Sequence, residues 1–264
     1  MIDFDEIDTW WNDLSLLLGS NVTEEIKEKL KKSNAEYIED VVNILFCLAD
    51  REKIIELTKN WLMKNTIVAY HGSRLSDEEI LSIKREGIIP LNGEDRIKRI
   101  SRVLSKDPSW MNMKDKLTES IHAHTKQFIA GKREGQVHAT LSRAGLINEF
   151  NHYLEYGSEF DQRVVVHLIG KRGLDLLKQD GSPVLIQLAI PGNIALSAAH
   201  PFFPMEMIKA KNEIQNIVKE FITAWAYKIK NKTYQSKTAN IDCGMVFFDK
   251  ISPSWIIDMT VIKM

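Results

Sequence analysis

The stretch TIVAYHGSRL, residues 66–75, decides how the chain is read. Upstream of it, apolar residues recur at helical spacing with little strand character; downstream, short β-rich runs are separated by helical ones. Residues 66–70 have the β-branched and aromatic make-up of a buried strand. That strand exits into His71, Gly72, Ser73 and Arg74, none of which a core needs. Such a run marks either a tight turn or a place where something binds.

Length and composition narrow the classes. A chain of 264 residues suits one large domain, or a catalytic domain of about 200 residues with a small appendage. With 44% hydrophobic and 27% charged residues, it carries enough apolar surface for a proper core, which excludes a disordered or fibrous chain. No apolar run reaches the ~18 residues of a membrane span, and the opening MIDFDEIDTWWNDL is acidic where a secretion signal is basic. The expectation is a cytoplasmic protein with no membrane association. Cys47 and Cys243 lie far apart and form no framework, in keeping with a reducing compartment. Thirty-five basic and 36 acidic residues leave a formal net charge of −1, so there is no global pull toward nucleic acid or anionic lipid.

Two regions are predicted. Residues 1–64 form a small N-terminal helical region, with helices over EEIKEKLKK (24–32), EYIEDVVNILFCLAD (36–50) and EKIIELTKNWLMK (52–64) and with Asn34 and Asp50 at starts or turns. Residues 65–264 form an α+β catalytic domain. After the strand TIVAY, Ser76 and Glu79 make the capping-box signature of a helix that Gly87 stops. Helical character follows over 94–129, a strand over QVHATLS (136–142), helical residues over 144–178, and a strand over PVLIQLAI (183–190) after the turn Asp180-Gly181. Helices resume over 205–230, and MVFFD (245–249) and WIIDMTVI (255–262) are the closing strands. The strands lack regular βαβ spacing, which points to α+β and not to a doubly wound sheet.

Several motifs fail on inspection. IGKRG (169–173) has no glycine five residues before the one preceding its lysine, and Arg172 stands where a phosphate loop needs Ser or Thr; it reads as a helix-breaking turn. His122 and His124, two apart on a helix, point about 200° apart and cannot share a metal. No cysteine pair has zinc spacing and no G-x-S-x-G elbow occurs, so neither a metal nor a serine triad is expected.

Two constellations survive: YHGSRL with the helix and EGIIPL (86–91) that follow it, and HYLEYGSEF (152–160), where an aromatic helix end runs into Gly157 and a carboxylate. Each alone has a structural explanation, with Tyr153 and Tyr156 as core aromatics, Gly157 as a helix stop and Glu159 as a first-turn acid. Taken together, in order, with a closing pair of strands joined through KISPSWI (250–256), they resemble the ADP-ribosyltransferase fold of bacterial toxins and poly(ADP-ribose) polymerases. The resemblance spans about residues 66–264 and is carried by short motifs. It implies a split β-sheet core with flanking helices, and NAD as a substrate. His71-Gly72 match the family's first-strand His-Gly, and Tyr153 or Tyr156 its helical tyrosine.

The chemistry gives these residues roles. Breaking the nicotinamide–ribose bond passes through an oxocarbenium-like state of the kind carboxylates stabilise in glycoside hydrolysis. The site then needs a ribose clamp, a stacking platform and one negative charge. His71 would bond a ribose hydroxyl, Gly72 would let the backbone approach the carboxamide, Tyr156 or Tyr153 would offer a ring face, and Arg74 would meet the pyrophosphate. Tyr70 and Ser73 complete the nucleotide-binding segment. Glu159 is the candidate carboxylate. Members of the family that transfer ADP-ribose carry a glutamate at the start of the penultimate strand; Gly244 stands about there, with Asp242 two residues earlier as the alternative.

The resemblance therefore implies an ADP-ribosyltransferase acting on a macromolecule, as an intracellular toxin or antiviral effector. The alternatives are an NAD-consuming hydrolase, an enzyme like the RNA 2′-phosphotransferases, or a catalytically inactive binding version of the fold. The basic stretch DRIKRISRVLSK (95–106), with Arg96, Lys98, Arg99, Arg102 and Lys106, is either a solvated helix face or a track leading RNA or DNA to the pocket. A toxin also implies an antitoxin protein. Trp10 and Trp11, in an acidic setting, mark either its docking surface or, as the preferred reading, a helical cap on the sheet.

Overall fold

A computed structural model of the chain describes residues 1–126, 135–199 and 215–263. Four helices precede the first strand: α1 (Ile7–Leu18), α2 (Glu24–Lys32), α3 (Ile38–Leu48) and α4 (Arg51–Met63). The last three fall where helical spacing puts them, and Asp50 caps α4 by accepting from the Lys53 amide at 3.0 Å. The α1 helix occupies the acidic opening, where no helix is predicted. Its buried residues, Ile7, Trp10, Leu14 and Leu18, lie along one stripe.

The fold is α+β, with a five-stranded sheet and helices around it. The strands are β1 (Thr66–Leu75), β2 (Val137–Thr140), β3 (Ser182–Pro191), β4 (Gly244–Phe247) and β5 (Ile256–Val261), in the order β4-β2-β1-β3-β5. Strands β3 and β5 pair antiparallel, Ile186 opposite Met259, with an irregularity between Gln187 and Leu188. The sequence reading ends the first strand at Tyr70. In the structure β1 continues to Leu75, so His71, Gly72, Ser73 and Arg74 lie within a strand and make no turn.

The two long helical stretches are both broken. Over 94–129, α6 (Gly93–Leu104) is followed by a 3-10 turn at Trp110–Asn112 and by α7 (Lys116–Lys126). Pro108 cannot continue a helix, and the Asp107 carboxylate closes a local turn on the Ser109 amide at 2.9 Å. Over 144–178 stand α8 (Arg143–Asn148), α9 (His152–Tyr156), α10 (Glu159–Ile169) and α11 (Arg172–Lys178), with Gly157 (φ 82°) ending α9 and Gly170 (φ 65°) ending α10. Residues 127–129 and 205–214 of the expected helices lie outside the described residues. Beyond β3 come α12 (Gly192–Ala198) and α13 (Asn216–Lys230), and the capping-box helix is α5 (Asp77–Glu86).

The chain divides into two compact units, one of residues 1–69, 140–149 and 189–245, the other of residues 70–139, 150–188 and 246–264; β1, β2, β3 and β4 each pass from one into the other. The first unit is built on α13, against which α1, α2, α3 and α4 pack. Its centre is aromatic: Phe221 lies edge-on to Phe4 (5.4 Å between ring centroids), Trp10 (4.8 Å) and Trp61 (5.9 Å). Trp10 is 2% exposed, and the Trp11 indole donates to the Trp225 carbonyl at 3.0 Å. The surface tryptophans expected of a docking site are therefore core and half-buried residues, because the helix carrying them is amphipathic. The start of the chain also belongs to this unit, Ile2 bridging in parallel to Ile67 through bonds of 2.8 Å.

The second unit has its own core of Ile100, Val103, Leu104, Leu117, Phe160 and Val164 with their neighbours. The predicted capping box is present, Ser76 and Glu79 each bonding the other's backbone amide at 3.3 and 2.9 Å. Gly87 ends α5 at φ 86°; a Cβ there would also come within 2.0 Å of the Ile251 carbonyl, with which the chain bridges antiparallel through Ile88.

Candidate functional site

The site is built where residues 70–75 of β1 meet the α9–α10 corner, all within the second unit. His71 Nδ1 lies 2.6 Å from the His138 carbonyl oxygen. A carbonyl only accepts, so Nδ1 carries the proton and Nε2 presents a lone pair. Burial pushes the His71 pKa down, against the opposing pull of that hydrogen bond, so the ring is neutral and Nε2 is an acceptor for a hydroxyl. Alternation along the strand puts Ser73 on the face of His71, and Tyr70, Gly72 and Arg74 on the other. Tyr70 is 4% exposed and belongs to the core, whereas residues 71–74 are half-buried.

The two stretches singled out in the sequence come together. The Arg74 guanidinium reaches toward the Leu154 carbonyl, Nη1 at 3.5 Å. Gly157 turns beside it: a Cβ at that position would lie 3.7 Å from Arg74 Cβ and 3.3 Å from Arg99 Nη2. The chain can reverse here because glycine accepts φ 82° and leaves room for the two arginines. Burial, then the neighbouring Arg99, depress the Arg74 pKa from its very high ordinary value.

The structure separates the two tyrosines. The Tyr153 hydroxyl donates to Glu159 Oε1 at 2.7 Å, while His152 Nε2 and Arg163 Nη2 stand 3.6 and 3.8 Å from the same carboxylate. Glu159 thus heads α10 at its dipole-positive end, beside the Tyr153 hydroxyl, His152 and the Arg163 guanidinium. Tyr156 instead packs on the Ile100–Phe160 core and faces Lys178, whose Nζ is 5.9 Å from the ring centroid; Glu155 beside its hydroxyl pushes its pKa up. Tyr156 fills the place of a core aromatic, and Tyr153 is the tyrosine set with the carboxylate.

The basic stretch 95–106 is extensively ion-paired. Arg96 grips the fully buried Asp161 through Nε at 2.9 Å and a second, shorter Nη2 bond. Arg99, its side chain 4% exposed, gives Nη1 to both oxygens of Glu79 (2.7 and 2.6 Å) and Nη2 to the Arg74 carbonyl (2.6 Å), with Nε 3.4 Å from Asp161. Arg102 and Lys106 hold Asp180 at 2.8 and 3.2 Å. All four cations pair with carboxylates of the same unit, Arg96 and Arg99 at buried or half-buried positions, while Arg102, Lys106 and Lys98 are exposed. Sequence reasoning missed Arg99, Glu79, Asp161 and Asp180 as a network. The available signal was the i, i+3 spacing of Arg96, Arg99 and Arg102 beside the apolar Ile100, Val103 and Leu104, a border where arginines bury and pair.

Burial alone would push the Glu79, Asp161 and Asp180 carboxyls up, but Arg99 and the Ser76 amide at Glu79, Arg96 at Asp161, and Arg102 and Lys106 at Asp180 outweigh it, so all three lie below their ordinary values. A pKa lowered by folding contributes stability above the unfolded value of about 4 and loses it as pH falls through that value toward the folded one. The melting temperature should therefore fall from about pH 5 downward. Thermal melts at pH 7, 5, 4 and 3 read this, and an Asp161→Asn variant should show a shallower acid limb.

The alternative carboxylate, Asp242, is exposed, precedes β4 and belongs to the first unit. His122 pairs with Glu94 at 3.1 Å and His124 Nδ1 with the Ser120 carbonyl at 2.7 Å. Among the described residues no helix is long and apolar enough to cross a membrane, and no group of three His, Cys, Asp or Glu is placed to hold a metal ion. No protein-family model matches the chain, and neither a curated protein nor a solved structure matches it.

Proposed function

We propose that the protein transfers ADP-ribose from NAD to a macromolecular acceptor, nucleic acid or protein, at a site made of His71, Gly72, Arg74, Tyr153 and Glu159. One observation carries this reading: the HGSR segment of β1 and the HYLEYGSE corner, far apart in sequence, meet at Arg74 and Gly157, with Tyr153 and Glu159 paired at 2.7 Å. Arg74 faces the pyrophosphate and the Tyr153 ring backs the nicotinamide on one face of β1, while the neutral His71, on the opposite face, accepts a ribose hydroxyl through Nε2 where the nucleotide passes the end of the strand. As the C1′–N bond lengthens, its electron pair leaves with nicotinamide and positive charge grows on the ribose, where the Glu159 carboxylate stabilises it. The acceptor's nucleophilic atom then bonds C1′ and gives up its proton to water.

A cytoplasmic toxin or antiviral effector fits this activity. An antitoxin partner remains part of that reading, but not through Trp10, which is in the core. Arg96 and Arg99 of α6 are taken up by carboxylates inside the unit, Lys98, Arg102 and Lys106 stay exposed, and the acceptor is identified by experiment. NAD labelled in the adenylate is incubated with the protein and cell extract. Label on a macromolecule supports the proposal; free ADP-ribose alone supports the hydrolase; intact NAD supports an inactive binding version of the fold. His71→Ala should raise the NAD dissociation constant as well as slow turnover, because its contact exists before the bond breaks, and calorimetric NAD titration of the variant checks it.

A further inference from the structure

Arg99 has no contact with substrate in the mechanism above, yet its side chain is buried among four pieces of the site's frame. Nη2 donates to the carbonyl of Arg74, at the end of the His71 strand; Nη1 donates to Glu79, which caps α5; Nε lies by Asp161 on α10; and Gly157 turns against Nη2 with no room for a larger residue unless the arginine shifts. Three directions of contact from one planar group are what a guanidinium offers and an ammonium does not.

We propose that Arg99 is a positioning residue: it fixes the strand carrying His71 and Arg74 against the corner carrying Tyr153 and Glu159, and so sets the spacing across which NAD would be held. The inference rests on the proposed NAD site for its consequence in turnover, and on contacts alone for its structural part. Substrate clamps lose rate steeply when reacting groups are misplaced by about 1 Å, and the same sensitivity applies to this frame.

The test uses the full chain with 3-fluorotyrosine at Tyr153, whose fluorine resonance reports the hydrogen bond to Glu159 without any NAD. Arg99→Lys keeps the charge and loses the fork; Glu79→Gln keeps the size and weakens the anchor, and stands in if the lysine variant does not fold. Leu104→Ala, which opens a cavity in the same core but removes no polar contact of the frame, measures plain destabilisation. The resonance should move by more than its linewidth, or split, in Arg99→Lys and to a smaller extent in Glu79→Gln, and stay in place in Leu104→Ala. NAD turnover at a temperature where every variant is folded should fall at least about tenfold in Arg99→Lys, mostly in kcat, and little in Leu104→Ala. An unmoved resonance in both frame variants, or an equal movement in Leu104→Ala, overturns the assignment. A moved resonance in a protein that never consumes NAD leaves the frame standing and sinks the NAD reading instead.

Discussion

Replacing Glu159 by glutamine should cut NAD-dependent labelling at least about a hundredfold, a loss of roughly 2.7 kcal/mol of transition-state stabilisation, with folding intact. The substitution keeps the size and the acceptor oxygen, so the 2.7 Å bond from the Tyr153 hydroxyl persists and the head of α10 keeps its shape. What disappears is the negative charge, and with it the attraction that grows only as the ribose becomes cationic. Turnover should therefore collapse while NAD affinity changes little. Asp242→Asn, in an exposed residue ahead of β4, should cost far less. A dead Asp242→Asn beside an active Glu159→Gln would reverse the carboxylate assignment, and two active variants would refute the mechanism.

The second large effect is on stability. Asp161 is fully buried and accepts two bonds from Arg96. Asp161→Asn leaves Arg96 and Arg99 facing a neutral amide, and breaking a buried pair from one side costs about 3–5 kcal/mol because a charge stays behind without its partner. Urea unfolding should show a free energy in water lower by that amount, seen as an earlier midpoint with an unchanged slope. Replacing Arg96 and Asp161 together by methionine and leucine should recover part of the loss; no recovery would mean that the pair contributes through packing and not charge.

Much of the local structure is legible in the sequence because its causes are local. Ser76 and Glu79 announce the start of α5, Gly87 its end, and residues 24–32, 36–50 and 52–64 carry their apolar stripes openly. The errors share a cause as well. Ile7, Trp10, Leu14 and Leu18 keep helical spacing, but acidic neighbours and two large indoles give that stretch the look of a surface. Pro108, Gly157 and Gly170 break two stretches whose composition is helical throughout. The arginines of α6 defeat sequence reading for a different reason: Asp161 lies 65 residues beyond Arg96 and Asp180 78 residues beyond Arg102, so nothing near a basic run reveals that its charge is already matched. At the candidate site, the two stretches are legible in the sequence and their pairing is not. Tyr153 and Tyr156 are equivalent by spacing, and only the pairing with Glu159 on one side and the core on the other tells them apart.

The central claim is that NAD lies at the Arg74 end of β1, against the Tyr153–Glu159 corner. A crystal structure of the Glu159→Gln variant soaked with NAD tests it most directly, since the variant should bind the intact dinucleotide without cleaving it. The nicotinamide ring is predicted on the face of Tyr153, a ribose hydroxyl within about 3 Å of His71 Nε2, and the pyrophosphate against Arg74. Density for NAD at another place on the protein, or none at concentrations that saturate the wild-type chain, would contradict the account.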